Sequence, residues 1–521
     1  MRAVFSYSKT GFLLSVFAVI SFPFSTVQAQ AKKFEKSQWV SHDSNGKLNY
    51  KTLPQGDRIM DFSYAGYMGG GVKIPLVEVK ITLSPTTGDN SEAIQNAIDK
   101  VSEMPLIKGI RGAVLLKAGS YDCEKTINIK ASGVVLRGSG SGENGTIINM
   151  TSKPHLCISV RGNVVTKTVG TAANFTDNYV TSGANSFSLT DASGFAVGDT
   201  IRIIRPVTEA WVHFMGMDVL ERNGKKQTWI TGEITRNRAI IKKQKNKITV
   251  DVPLTDSYDG KYLNPPGVTV IKITTLGELS KIGIENLRIN SPAQSVTISQ
   301  GSNKAFSMSG LVDGWARNIE VLNTVNSVSV TGRRITVDNL SIIHNLPTIG
   351  AAKPADINGS GQQLFFNNCR ITGDNLFFFG TGAKVTGPVV LLNCVFHGNG
   401  WIQPHQRWAT GLLVDNCEVP DGGIDFMNRG EYGSGHGWTI GWAVAWNSKA
   451  KAFLNQMPPG SANWVIGSTG EHAKKTMPFN TEPIVPEGIY DVPGEKVTPG
   501  SIYLTQLTER LGKQALKNIG Y

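Results

Sequence analysis

Two short stretches concentrate the side chains that could do chemistry. GNGWIQPHQRWATG runs from Gly398 to Gly411, and NRGEYGSGHGW from Asn428 to Trp438. Together they hold His405, His436, Arg407, Arg429, Asn428, Glu431, Tyr432, Asn399 and the tryptophans Trp401, Trp408 and Trp438. Histidine titrates near neutrality, so His405 and His436 are candidates to take or give a proton. Arginine meets a carboxylate through two parallel N–H bonds, which makes Arg407 and Arg429 candidate anion binders. Tryptophan faces are platforms for rings. The bland alternative is a packed corner, with Arg407 capping stacked turns and the tryptophans filling space.

Elements must bring these stretches together. The segments LFFNNCRI (Leu364 to Ile371), VLLNCVF (Val390 to Phe396) and LLVDNCEV (Leu412 to Val419) share one frame, with Cys369, Cys394 and Cys417 spaced 25 and 23 residues apart. Asn286, Asn318, Asn339, Asn368, Asn393 and Asn416 recur at intervals of 32, 21, 29, 25 and 23. Each precedes a strand with apolar residues at period two. Short strands repeating every 20 to 30 residues predict a solenoid whose units stack to bury their apolar faces. The pattern predicts a parallel β-helix with an internal asparagine ladder and a buried cysteine stack. There are five cysteines in all, an odd number without a CxxC pair, which argues against a disulfide framework and a zinc site.

In this frame His405 falls eleven residues after Cys394, and Asn428 eleven after Cys417. Coils of similar shape therefore stack them, with Arg407, Arg429, Glu431 and His436 close by. Trp442 joins the same region, and His397 is a secondary candidate.

The solenoid opens with GDNSEAIQNAIDKV, Gly88 to Val101, read as a helix capped by Asp89 or Asn90 and covering the open end of the coils. The helix AIQNAID, the turn KAGSY and the strand VVLRGSG resemble the start of the pectate-lyase-like right-handed parallel β-helix superfamily. The resemblance spans roughly Ile74 to His472. It implies an all-β, single-stranded right-handed β-helix with an N-terminal capping helix. It also implies a polymer groove on one parallel face, with catalytic side chains one coil apart. A lyase of this kind cleaves a uronic-acid polymer by β-elimination. Here His405, Arg407, Arg429 and His436 are the expected catalytic set, as base, acid and carboxylate neutraliser. Asn428, Glu431, Tyr432, Trp401, Trp408, Trp438, His213 and Asn399 are the expected substrate contacts. No cofactor is required, though calcium fits as a shared neutraliser; no protein metal site is expected. The alternatives are a glycoside hydrolase, a C5-epimerase and a non-catalytic carbohydrate-binding β-helix. The hydrolases of the superfamily use an aspartate trio and Gly-His-Gly. Gly435 to Gly437 matches the second, but Asp374, Asp421, Asp425 and Glu431 do not form the first.

The remaining features set the context. The 521 residues carry a formal net charge of +12. Met1 to Ala29 reads as a cleaved signal peptide, with Arg2 and Lys9 ahead of an apolar run. Its removal would leave +10, since those two charges go with it. An exported basic chain points to a polyanionic partner, here an anionic polysaccharide. Nucleic acid is disfavoured because no basic cluster interleaved with aromatics appears. No apolar run is long enough for a membrane span, and a secreted or periplasmic monomer is expected. Residues 30–73 form an N-terminal segment and 74–474 the β-helix, with a β-rich insertion at about 166–230 that includes His213. Residues 475–521 form a tail with a short helix whose apolar stripe is Leu504, Leu507 and Leu511.

Overall fold

The computed structural model describes residues 34–348, 355–474 and 486–521. The expected signal peptide lies outside the described residues. The chain is an all-β parallel β-helix built from three parallel ladders. In the first, Ile335 pairs with Leu364, Leu364 with Val389, and Val389 with Leu412. In the second, Ile342 pairs with Ile371 and Ile371 with Phe396. In the third, Ile357 pairs with Phe379, Phe379 with Ile402, Ile402 with Ile424, and Ile424 with Phe453. All these residues belong to one buried core that runs along the solenoid. Period-two alternation puts one apolar set inside on every coil, so each unit finishes its burial against the next.

The cysteine frame is part of this core. Cys369, Cys394 and Cys417 are 0% exposed, and all five cysteines are free thiols. The asparagines differ from the interior ladder expected of them. Asn286, Asn318, Asn339, Asn368, Asn393 and Asn416 have φ between +51° and +56°. They turn the corner from the first ladder to the second, in the left-handed conformation that asparagine tolerates. Their side chains therefore point outward. Asn318 Nδ2 donates to Asn286 Oδ1 at 2.9 Å, and Asn339 Nδ2 to Asn318 Oδ1 at 3.0 Å. Further along, the C-terminal tail covers the corner. There Asn393 donates to the Tyr521 hydroxyl at 2.7 Å and Asn416 to the Gly500 carbonyl at 2.7 Å.

A helix at Ser91–Ser102 buries Ile94, Ala97, Ile98 and Val101 against the first coils. A second, Ile502–Leu511, docks on the far end of the first ladder. Its buried face is Ile502, Tyr503, Gln506 and Leu507, and Leu511 is 45% exposed. The expected leucine stripe is thus corrected. The helix is rotated so that Tyr503 stacks on Phe365, with ring centroids 4.6 Å apart.

The insertion is longer than the range 166–230. A six-stranded antiparallel sheet begins at Val165–Asn174 and ends at Thr269–Leu276. Its later strands, Glu233–Gln244 and Thr269–Leu276, alternate at period two like the coils, so patterning does not separate them. Phe187, Trp211, Trp229, Ile240 and Val270 form its core, and Trp408 and Trp438 of the solenoid are packed into it.

Candidate functional site

The two stretches meet where the third ladder ends its strands. Trp401–Ile402 pairs with Gly423 and Ile424 of the next coil. Beyond these strands the chain turns at His405 and again at Arg429. Arg429 Nη1 donates to His405 Nδ1 at 3.1 Å and to the His405 carbonyl at 3.0 Å. The His405 and His436 rings lie 4.8 Å apart, and His405 meets the Phe377 ring edge-on at 5.5 Å. The Arg429 guanidinium sits 5.3 Å from the centre of the Phe377 ring. So His405, His436 and Arg429 do come together, as the coil count predicts, with Arg429 rather than Asn428 against His405.

The electrostatics of this cluster follow from burial among arginines. Burial, then Arg429, His436 and Arg407, hold the His405 pKa down to about 2. Burial, then Arg429, Arg407 and Arg222, hold that of His436 down to about 3. Both imidazoles are neutral at ordinary pH. A guanidinium cannot accept a hydrogen bond, so His405 Nδ1 carries the lone pair and Nε2 the proton. Of the two roles open to it, to take or give a proton, His405 therefore presents an N–H donor. His436 Nδ1 is buried without a hydrogen-bond partner.

Two further residues complete the cluster, and sequence reasoning assigned neither a role. Asp425 is fully buried one residue beyond Ile424, and its side chain accepts from Gln403 Nε2. Burial raises its pKa to about 8, against the opposing pull of Gln403 and Arg429. It is a protonated carboxyl at neutral pH. The register Ile402 to Ile424 places Gln403 beside Asp425, so the strand alternation was the signal that could have found this pair.

Other expected contacts sit elsewhere or are already engaged. Arg407 Nε donates to the Trp229 carbonyl at 2.5 Å, Nη1 to Gln406 Oε1 at 2.8 Å, and Nη2 to Ser434 Oγ at 2.6 Å. It braces the insertion against the coils, so its expected grip on a ligand carboxylate is corrected to a field effect on the histidines. Trp408 and Trp438 are each 2% exposed, with their faces inside the insertion core. Both are packed away from the histidine cluster's surface, and of the expected tryptophan platforms only Trp401 keeps a half-exposed indole, lying over Gly423. His213 has 80% of its side chain exposed and pairs with Asp218 at 2.8 Å within the insertion. Asn428 is 4% exposed, with Oδ1 accepting from Gly430 N at 2.8 Å. Tyr432 packs on Ala355 and Phe377, while Glu431 and Asn399 are exposed. His397 faces Asp421 at 4.0 Å. Among the described residues, no group of three or more histidine, cysteine or acidic side chains is arranged to hold a metal ion. No described helix is long and apolar enough to cross a membrane.

No family model and no curated protein matches this chain. Among solved structures, it is similar to the tailspike protein gp49 from Pseudomonas phage LKA1, at 12% identity over 73% of this chain and 69% of that one, with a TM-score of 0.34. It is also similar to a tailspike double mutant from E. coli bacteriophage HK620 in complex with a pentasaccharide, at 9% identity over 84% and 61%, TM-score 0.38. An iota-carrageenase complexed to iota-carrageenan fragments matches at 10% identity over 77% and 56%, TM-score 0.24.

Proposed function

We propose that this chain is an exported enzyme that cleaves an anionic, uronate-containing polysaccharide by β-elimination, with no metal required. The observation that carries the reading is the convergence of Arg429 and Arg407 on two half-buried, neutral histidines, with Arg222 acting on the second, His436. The local potential is positive, which favours a bound carboxylate and lowers the cost of the carbanion that forms beside it. In this reading the field of Arg429 and Arg407 neutralises the uronate carboxylate. His405 Nε2–H hydrogen-bonds to the polymer. Neutral His436 accepts the C5 proton as the C4–O4 bond breaks and the C4–C5 double bond forms, and protonated His436 passes that proton to the leaving O4. Trp401 stacks on a sugar ring. The net charge of +12 supports a polyanionic partner.

A hydrolase is the second reading, favoured by Asp425. A carboxyl held protonated to about pH 8 is the proton donor that glycoside cleavage needs. One experiment separates the two. Wild type and His405→Ala are incubated with pectin, alginate and glycosaminoglycans, with and without chelator. Elimination produces the ultraviolet absorbance of an unsaturated uronate, unaffected by chelator and abolished in His405→Ala. New reducing ends without that absorbance indicate hydrolysis. No change in any polymer overturns both.

A further inference from the structure

A second cavity lies under the insertion, with Asn428 and Trp438, the ends of the turn that carries His436, on its lining. A cavity of 780 Å³ opens between the N-terminal segment, the insertion and the turn around Pro458. Met215, Met217, Trp438, Trp442 and Met457 make its walls largely apolar. Ser461 Oγ is a buried hydroxyl on its lining with no hydrogen-bond partner. A smaller recess of 30 Å³ shares Gln55, Pro459 and Gly460 with the cavity.

Arg205 lines that recess and is 3% exposed. Its guanidinium lies 3.9 Å from the centre of the Trp211 ring, and its Nε is 3.5 Å from Asp256 Oδ2. Asp256 is occupied by other donors: Trp408 Nε1 at 3.0 Å and Trp442 Nε1 at 3.2 Å. Arg205 Nε is held by its ion pair with Asp256, while Nη1 is buried without a hydrogen-bond partner. Arg236 adds a second buried positive charge, so the two arginines outnumber the buried carboxylate of Asp256 between them and the indoles. Buried donors of a cation left unmade are costly, and an anion relieves that cost.

We propose that the recess and cavity together bind a ring-bearing carboxylate. A carboxylate oxygen accepts from Arg205 Nη1, on the edge of the guanidinium turned away from Asp256, and the ring lies among Trp438, Trp442 and the methionines. A space of 30 Å³ holds about two water-sized atoms, the size of a carboxylate's oxygen pair. A volume of 780 Å³ is ample for a ring or a short oligosaccharide. Two sources offer this chemistry: a free small acid, or the acidic end of a glycan. The site stands independently of the polymer reading, so His405→Ala leaves it unchanged.

Calorimetric titration of the full chain tests it, with phenylacetate, glucuronate and a uronate-ended oligosaccharide as probes. Each is compared with its methyl ester. Saturable binding of the acids is expected, at least about tenfold weaker for the esters, because charge-assisted pairs are the strong ones. Binding of the small acids points to a free metabolite; binding of the oligosaccharide alone points to a glycan end. Arg205→Met and Gln55→Trp are both expected to lose binding. Gln55 is exposed, so Gln55→Trp fills the shared mouth without touching the core and carries the test if Arg205→Met does not fold. No saturable heat with any acid, esters binding as well as acids, or unchanged binding in Gln55→Trp would each overturn the proposal and leave the recess holding ordered water only.

Discussion

Two histidines near the third ladder, His344 buried and His405 half-buried, have opposite surroundings. His344 Nε2 faces Asp356 Oδ2 at 2.8 Å, and Asn375 Nδ2 donates to the same oxygen at 2.6 Å. Burial pushes the His344 pKa down, but the charge of Asp356 and the hydrogen bond outweigh it and leave the pKa raised. His405 is half-buried against Arg429 instead, and both effects push the same way, to about 2. One histidine is built to hold a proton and the other to refuse one. A proton held by a carboxylate in a dry pocket is a fastening. A neutral imidazole pressed against a guanidinium has no such structural return, which is why the His405 pocket, and not the His344 pocket, reads as a site.

The sharpest way to break this contrast is to remove the carboxylate. Asp356→Ala leaves a buried histidine facing nothing, and unfolding stability in urea should drop by about 3–5 kcal/mol. A loss under about 1 kcal/mol on the same measurement would mean the pair does not hold the coils. On the other side, Arg429→Met removes the charge that, after burial, does most to keep His405 neutral. The His405 resonances in a proton-detected NMR titration should then move in the range above pH 2, where wild type stays flat. Turnover of whichever polymer is cleaved should fall by about 100-fold, or about 2.7 kcal/mol. An intact rate with a shifted His405 would separate the electrostatics from the chemistry.

Stability against pH sharpens the contrast further. The raised His344 contributes stability that is complete below its unfolded pKa of about 6.5 and is lost as pH rises through its folded value. His405 runs the other way: below about pH 6.5 the unfolded chain binds a proton that the folded chain refuses, so stability falls as pH drops. Asp425 stays protonated to about pH 8, so the folded chain holds its proton after the unfolded chain has lost it. Stability therefore falls as pH rises from about 4 to 8, by at most about 1.4 kcal/mol per pH unit. Asp425→Asn should flatten denaturation midpoints between pH 5 and 8. If its slope matches wild type, Asp425 is ionised in the folded chain.

The sequence carried the coils further than the site. Cys369, Cys394 and Cys417 marked the inward positions, because an apolar period of two has only one face to bury. The same count brought His405 within a hydrogen bond of Arg429, 24 residues on. What the count could not carry is which side of a turn faces solvent. Trp401 and Trp408 are seven residues apart in one stretch, yet Trp401 lies over Gly423 and Trp408 is sealed beneath the insertion. That difference is made by Trp211 and Trp229, nearly two hundred residues upstream in the insertion. Arg407 was diverted in the same way, by the Trp229 carbonyl. Long-range contacts of an inserted sheet leave no periodic trace in the coils they cover.

The smallest effect tests whether the His344 pocket is only a fastening. Asn375 is 4% exposed and donates to the oxygen of Asp356 that also meets His344. Asn375→Ala removes that donor and the acceptor for Leu376 N, a 2.7 Å bond. The charge on Asp356 then rests on His344 alone, so His344 should hold its proton to a higher pH than in wild type. Stability should fall by about 1 kcal/mol, the cost of one buried hydrogen-bonding partner. Polymer turnover should stay within about twofold of wild type, which is under about 0.5 kcal/mol. A large loss of turnover with little loss of stability would place His344 and Asp356 in the chemistry, and the division between a fastening histidine and a working one would have to be redrawn.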